Sequence, residues 1–278
     1  MSMKFVLVLL AGFLTFSSSA FADPDPNFYI FLCFGQSNMD GAAKPEEQDK
    51  QGIDPRFQVL WTINSPNLGR TAGNWYPAVP PLCRTYSGIS PADYFGRTMV
   101  ANLPASIRVG VINVSVPGCD IRLFNKDNFE PYAATAPDWM KGIIKEYHGN
   151  PYTHLVGMAK LAQKDGVIKG ILFHQGETNT SQKDWPAKVK LVYDNLLKDL
   201  DLKPDSVPLL AGEVVNKDQG GACAIHNAIV AELPKTIPNS YVVSSAGCTA
   251  APDHLHFNAA GYRELGNRYA VQMLSQLG

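Results

Sequence analysis

Residues 27–41 read NFYIFLCFGQSNMDG, an unbroken apolar run from Phe28 to Phe34 that stops at a glycine and a polar turn. An apolar run of this length without alternation describes a strand buried on both faces, as in a parallel sheet with helices on each side. Outward from it the pattern repeats. Strands are predicted at Ile107–Val114, Val167–Phe173, Val207–Ala211 and Tyr241–Ser245. Helices are predicted at Ala92–Asn102, Tyr152–Lys164, Trp185–Leu200 and Ala222–Leu233, with a last one from about Ala259 to Leu274. Val189, Val192, Leu196 and Leu200 form a stripe at helical spacing, as do Tyr262, Leu265, Tyr269 and Met273. Strands alternating with helices specify an α/β chain: a three-layer α/β/α sandwich with a five-stranded parallel sheet, flavodoxin-like. Segments 41–91 and 119–150 are read as long loops.

The chain has 278 residues, 45% hydrophobic and 18% charged, enough for a sizeable core. Lys and Arg (24) nearly cancel Asp and Glu (25), leaving a net charge of -1. No polyanion-binding surface is indicated, so nucleic acid is excluded as the expected partner. Lys4, the apolar run Phe5–Leu14 and the small-x-small triplet Ala20-Phe21-Ala22 read as a signal peptide over residues 1–22. Residues 23–278 are then one domain, secreted or periplasmic, with no membrane span once the signal is removed. Export permits disulfides. Of Cys33, Cys83, Cys119, Cys223 and Cys248, the pair Cys223–Cys248 is preferred, and an odd count leaves at least one thiol unpaired. The oligomeric state has no signature in the sequence.

In open α/β sheets the site lies beyond the carboxyl ends of the strands. Polar residues cluster there: Gly35-Gln36-Ser37-Asn38-Met39 after the first strand, Ser115-Val116-Pro117-Gly118-Cys119 after the second, His174-Gln175-Gly176-Glu177 after the third, and Asp253-His254-Leu255-His256 before the last helix. A serine hydroxyl becomes a nucleophile when a base takes its proton. Ser37 is the candidate nucleophile, His256 its base, and Asp253 the carboxylate that holds the imidazole tautomer. His254 is the rival base, but it adjoins Asp253 and its ring is expected to point elsewhere. Candidate oxyanion donors are the backbone N–H groups of Ser37 and Gly118 and the side-chain amide of Gln175. Gln36, Asn38 and Glu177 are supporting residues. Glu177 either orders its loop or helps orient His256.

Gly-Gln-Ser-Asn-Met (35–39), His-Gln-Gly-Glu (174–177) and Asp-x-x-His-Phe-Asn (253–258) resemble the motifs of the SGNH hydrolases. The chain is more closely similar to their sialate O-acetylesterase and acetylxylan esterase branch, carbohydrate esterase family six. The resemblance runs from about residue 28 to the C-terminus. It implies the Ser37, Asp253 and His256 triad and the three oxyanion donors just named. Gln175 stands where the wider superfamily has Asn, a replacement typical of the carbohydrate-esterase branch. Val-Pro-Gly-Cys (116–119) departs from the more usual Gly-Gly-Ser block.

The expected activity is serine-dependent hydrolysis of acetyl esters on a polysaccharide, acetylxylan first and acetylated sialic acid second, with no cofactor. A lipid or thioester esterase and a non-catalytic glycan-binding protein are the alternatives. No His-Glu-x-x-His or Cys-x-x-Cys spacing signals a metal. Trp61, Trp75, Tyr76 and Trp139 are either a sugar-stacking rim or loop core. Asn113 and Asn179 begin glycosylation sequons that carry little information where they fall, in a predicted strand and just after the His174–Glu177 loop.

Overall fold

The computed structural model describes Met1 and residues 23–277, so the expected signal peptide lies outside the described residues apart from Met1. The sheet consists of β1 (Phe28–Gly35), β2 (Phe57–Leu60), β3 (Trp75–Pro77), β4 (Arg108–Ser115), β5 (Val167–His174), β6 (Leu209–Gly212) and β7 (Ser240–Val243). Their order is β3-β2-β4-β1-β5-β6-β7, all parallel except the β2–β3 pair. The five expected strands (β4, β1, β5, β6, β7) follow the 2-1-3-4-5 order of flavodoxin-type sheets. The sheet nevertheless has seven strands rather than five. The extra pair extends the β4 edge from within the segment expected to be loop. β2 and β3 are only four and three residues long. Such short edge strands leave little periodicity to read, and Pro77 is tolerated only at an edge.

The longer helices are α1 (Pro91–Asn102), α2 (Asp138–Glu146), α3 (Pro151–Ala162), α4 (Trp185–Asp199) and α5 (Ala259–Leu277). α1 begins with a capping box: Ser90 accepts from the Ala92 N–H, and Asp93 accepts from the Ser90 N–H. Side chains on β1 alternate between two helix layers. Phe31 meets Phe95 of α1, and the adjoining Gly170 lies under Met273 of α5. Phe34 points to the other face, against Phe124 and Phe173, and Phe173 stacks on Trp185 of α4. The predicted stripes Val189/Val192/Leu196/Leu200 and Tyr262/Leu265/Tyr269/Met273 are buried, and they join one hydrophobic core.

Register sets the height of the strand ends. Gly35 lies opposite Ser115 on one side and His174 on the other, so three loops leave the sheet at one level. Gly35 has φ +154°, and a Cβ built there would lie 1.9 Å from the His174 carbonyl oxygen. No side chain fits where β1 turns out between its neighbours.

Two other expectations are corrected. The helix predicted over Ala222–Leu233 is broken into short turns at Ala224–His226, Asn227–Val230 and Leu233–Thr236. Asn227 spends its side chain on the Val214 backbone N–H and carbonyl, and Pro234 opens the last turn. All five cysteines are free thiols, so the Cys223–Cys248 bridge is not formed; the Cys223 thiol points instead at the Glu177 carbonyl. Asn113 and Asn179 are buried, so neither sequon is presented to solvent.

The broken segment buries His226 completely, edge-on to Trp185, and among the described residues neither ring nitrogen has a hydrogen-bond partner. Burial pushes its pKa down from the ordinary 6.5 to about 4. The unfolded chain therefore binds a proton near pH 6.5 that the folded chain refuses until about pH 4. Stability from this group is complete above pH 6.5 and is lost as the pH falls toward 4. At about 1.4 kcal/mol per pKa unit, the full loss is roughly 3–4 kcal/mol. Urea unfolding at pH 7.5 and pH 4.5 should show this drop, and His226→Leu should flatten it; equal wild-type stability at both values would refute a buried neutral His226. Gly35→Ala should destabilise the fold by more than about 3 kcal/mol in the same assay at pH 7.5, and wild-type stability would show that the strand end can relax.

Candidate active site

Ser37 opens a single helical turn, Ser37–Asp40, directly after β1. The turn is held from below: Asn113 of β4 donates to the Met39 carbonyl at 2.7 Å, and Asp40 forms a buried ion pair with Arg84 at 2.7 Å. Ser37 Oγ lies 2.9 Å from His256 Nε2, although the two are 219 residues apart in sequence. His256 Nδ1 lies 2.7 Å from Asp253 Oδ2. Asp253 Oδ1 accepts from the backbone N–H groups of Leu255 and His256 at 2.9 and 3.0 Å, so one carboxylate both shapes the turn and faces the ring. Partial burial alone would raise the Asp253 pKa. The His256 backbone N–H, the His256 ring and the Leu255 N–H outweigh that and hold it down to about 2. His254 adopts φ +55° and its Nδ1 pairs with the Gln219 carbonyl, away from Ser37.

Asn38 ties the two halves together. It is fully buried; its Nδ2 donates to Glu177 Oε1 and to the Leu255 carbonyl, and its Oδ1 accepts from Tyr262 Oη at 2.6 Å and from the Phe257 N–H. Glu177 thus contacts Asn38 rather than the His256 ring, which makes it a support for the loop that carries His256. Its Oε2 is buried without a partner among the described residues.

These groups border a cleft of about 320 Å³ lined by Gln36, Ser37, Pro117, Gly118, Trp139, Glu177, Thr178, Leu255 and His256. Gly118 has φ +71°, and a Cβ there would come within 3.0 Å of the Trp139 ring. Among the described residues, none accepts a hydrogen bond from the backbone N–H of Ser37 or of Gly118. Gln175 does not line the cleft. Its Nε2 donates to Asn179 Oδ1 (2.6 Å), the Cys119 carbonyl (3.1 Å) and Gln36 Oε1 (3.2 Å), and its Oε1 accepts from Trp185 Nε1. Gln36 lines the cleft in its stead.

Of the aromatics expected at a rim or in loops, Trp61 is buried core, Trp75 and Tyr76 lie in β3, and only Trp139, 56% exposed, borders the cleft. Within the segment 119–150 expected to be loop, α2 is a helix whose apolar stripe, Met140, Ile143 and Ile144, is present in the sequence; Trp139 stands beside that stripe, and only its being aromatic marked it for the cleft. Among the described residues no group of three His, Cys, Asp or Glu side chains is arranged to hold a metal, and no helix is long and apolar enough to cross a membrane.

The fold has solved counterparts. A protein from Arabidopsis thaliana superposes with a TM-score of 0.68 at 21% identity, covering 90% of this chain and 99% of its own. NanS superposes with a TM-score of 0.66 at 15% identity, covering 91% and 98%. A carbohydrate acetylesterase from Xanthomonas citri gives 0.60 at 16% identity, covering 87% of this chain and 55% of its own. At these identities the likeness shows the fold. Residues 27–275 match the family model described as carbohydrate esterase, sialic acid-specific acetylesterase. Spanning nearly the whole described chain, that match establishes that the protein belongs to this carbohydrate and sialate acetylesterase family.

Proposed function

We propose that this protein hydrolyses O-acetyl esters on a carbohydrate, with Ser37 as nucleophile, His256 as general base and acid, and Asp253 as the residue that orients the imidazole and stabilises its protonated form. The observation that carries the reading is the continuous line Ser37 Oγ–His256 Nε2 (2.9 Å) and His256 Nδ1–Asp253 Oδ2 (2.7 Å) at the floor of a cleft. His256 Nε2 takes the hydroxyl proton as Ser37 Oγ attacks the acetyl carbonyl carbon. The carbonyl oxygen gathers negative charge opposite the unengaged Ser37 and Gly118 N–H groups. The ester C–O bond breaks, and the sugar hydroxyl leaves with the proton from His256. Water, deprotonated by the same ring, then attacks the acetyl-enzyme, acetate departs, and the proton returns to Ser37. The depressed Asp253 pKa keeps that carboxylate anionic throughout.

Acetylated xylan is the first substrate assigned and acetylated sialic acid the second. The residues lining the cleft include Glu177 and His256 but neither Lys nor Arg. That lining suits a neutral sugar better than one bearing a carboxylate. The family description, and the description of one structural counterpart as a carbohydrate acetylesterase, support the carbohydrate class. Trp139 offers an exposed aromatic face to a sugar ring. Export follows from the segment Lys4 to Ala22, so the substrate is met outside the cytoplasm.

Acetate release from acetylated xylan, acetylated sialic acid and p-nitrophenyl esters of increasing chain length tests the reading. Wild type should release acetate from a sugar ester, and Ser37→Ala should lose about 10⁴–10⁶-fold in turnover. A variant within tenfold of wild type, or a preference for long acyl chains, would overturn it. Trp139→Ala should raise KM for the acetylated oligosaccharide roughly tenfold, equivalent to about 1.4 kcal/mol, and leave p-nitrophenyl acetate hydrolysis nearly unchanged. Equal losses on both substrates would remove Trp139 from sugar binding.

A further inference from the structure

We infer that the side-chain amide of Gln36, rather than that of Gln175, is the side-chain hydrogen-bond donor to the acyl oxygen in the tetrahedral intermediate; the inference rests on the esterase reading above. Gln175 has no hydrogen to give. Trp185 Nε1 is a donor only, so the Gln175 atom 2.6 Å from it is the amide oxygen, which fixes the other amide atom as Nε2. The two hydrogens of that nitrogen are shared among Asn179 Oδ1, the Cys119 carbonyl and Gln36 Oε1. The Asn179 oxygen is itself fixed, because it also accepts from the Ile121 N–H. Gln175 is 1% exposed and is sealed behind the loop it braces.

Gln36 is arranged the opposite way. Its Oε1 accepts from the backbone N–H groups of Gly176 (3.2 Å) and Thr178 (3.4 Å) as well as from Gln175 Nε2. Backbone N–H groups only donate, so the amide orientation is determined by the network. Nε2 then projects from the other side of a side chain clamped by three donors. Among the described residues it has no acceptor, yet it is not among the buried polar atoms cut off from solvent. Gln36 is 2% exposed and lines the cleft with Ser37 and Gly118, so the solvent its nitrogen reaches is that of the cleft. A donor pre-oriented by fixed partners, adjacent in sequence to the nucleophile and unengaged at rest, has what electrostatic stabilisation of an oxyanion requires. Gln175 acts one step removed, as a positioning residue that holds Gln36 Oε1.

Gln36→Glu separates this role from a structural one. A carboxylate still accepts from Gly176, Thr178 and Gln175, but it replaces the donor with an acceptor. Gln36→Met removes both functions at similar size. On p-nitrophenyl acetate, kcat should fall about 10²–10³-fold in Gln36→Glu, with KM little changed and the thermal midpoint close to wild type. If Gln36 merely braces the loop, Gln36→Glu will keep near-wild-type kcat while Gln36→Met loses it, and the inference fails. A loss confined to KM on sugar esters would make Gln36 a sugar contact and would equally overturn it. Should both variants fold poorly, the wild-type protein inactivated at Ser37 by a dialkyl phosphoryl reagent gives a second measurement. Its crystal structure should place the phosphoryl oxygen within about 3.1 Å of Gln36 Nε2, and an oxygen held by Gln175 Nε2 instead would refute the inference. Wild-type activity that survives Ser37→Ala would refute the esterase reading itself, a different outcome from either of these.

Discussion

Asn38 carries the constraint on which the site's geometry depends. Its amide is fully buried and has both hydrogens and the carbonyl oxygen committed, to Glu177, Leu255, Phe257 and Tyr262. Those partners belong to the loop after β5, the loop that carries His256 and the helix α5. A buried polar group left unpaired is costly, so each partner is held to the position that satisfies Asn38. The sheet supplies the other half of the constraint. Because Gly35, Ser115 and His174 are in register, the Ser37 turn, the Gly118 loop and the Gln175–Glu177 loop rise from a common level. Parallel pairing sets the heights, and Asn38 sets the lateral closure.

Legibility in the sequence follows burial. Phe28–Phe34, Val167–Phe173 and the stripes of α4 and α5 were readable because continuous burial or a single buried helical face leaves a long periodic trace. β2 and β3 were not, since three or four residues at an edge give less than one clear period. The break between Ala222 and Leu233 was hidden because Asn227 disrupts the helix through tertiary bonds to Val214 that no local pattern contains. The side chains brought together at Ser37, Asp253 and His256 were visible because each follows a strand or precedes a helix at the sheet rim. Gln36 and Gln175 show where such reading ends. They are the same residue type, both beside the site, and only the direction of their hydrogen bonds tells them apart. The four loop aromatics were likewise indistinguishable until packing placed Trp61 in the core and Trp139 at the cleft.

Buried polar groups close to the site share a second property. His226, the Glu177 Oε2 atom and His174 Nδ1 all lack hydrogen-bond partners among the described residues, His174 Nδ1 standing 3.7 Å from Glu177 Oε1, and all lie in or against the loop after β5. A Cβ at Gly176 would come within 2.5 Å of the His226 ring, so that loop is pressed onto the histidine with no slack. The segment holding Gln175 and Glu177 is therefore rigid by packing on one side and by hydrogen bonds on the other.

Asp253 and His256 share a four-residue turn that the Asp253 carboxylate closes upon itself. The imidazole and its carboxylate therefore reach Ser37 as one preassembled piece. The 2.7 Å contact is internal to that piece, and the 2.9 Å contact to Ser37 is the one that depends on where the piece sits. Asn38 fixes where that piece sits, through the Leu255 carbonyl and the Phe257 N–H on either side of His256. One buried amide thereby aligns the imidazole, and the carboxylate behind it, with the Ser37 hydroxyl in a single placement.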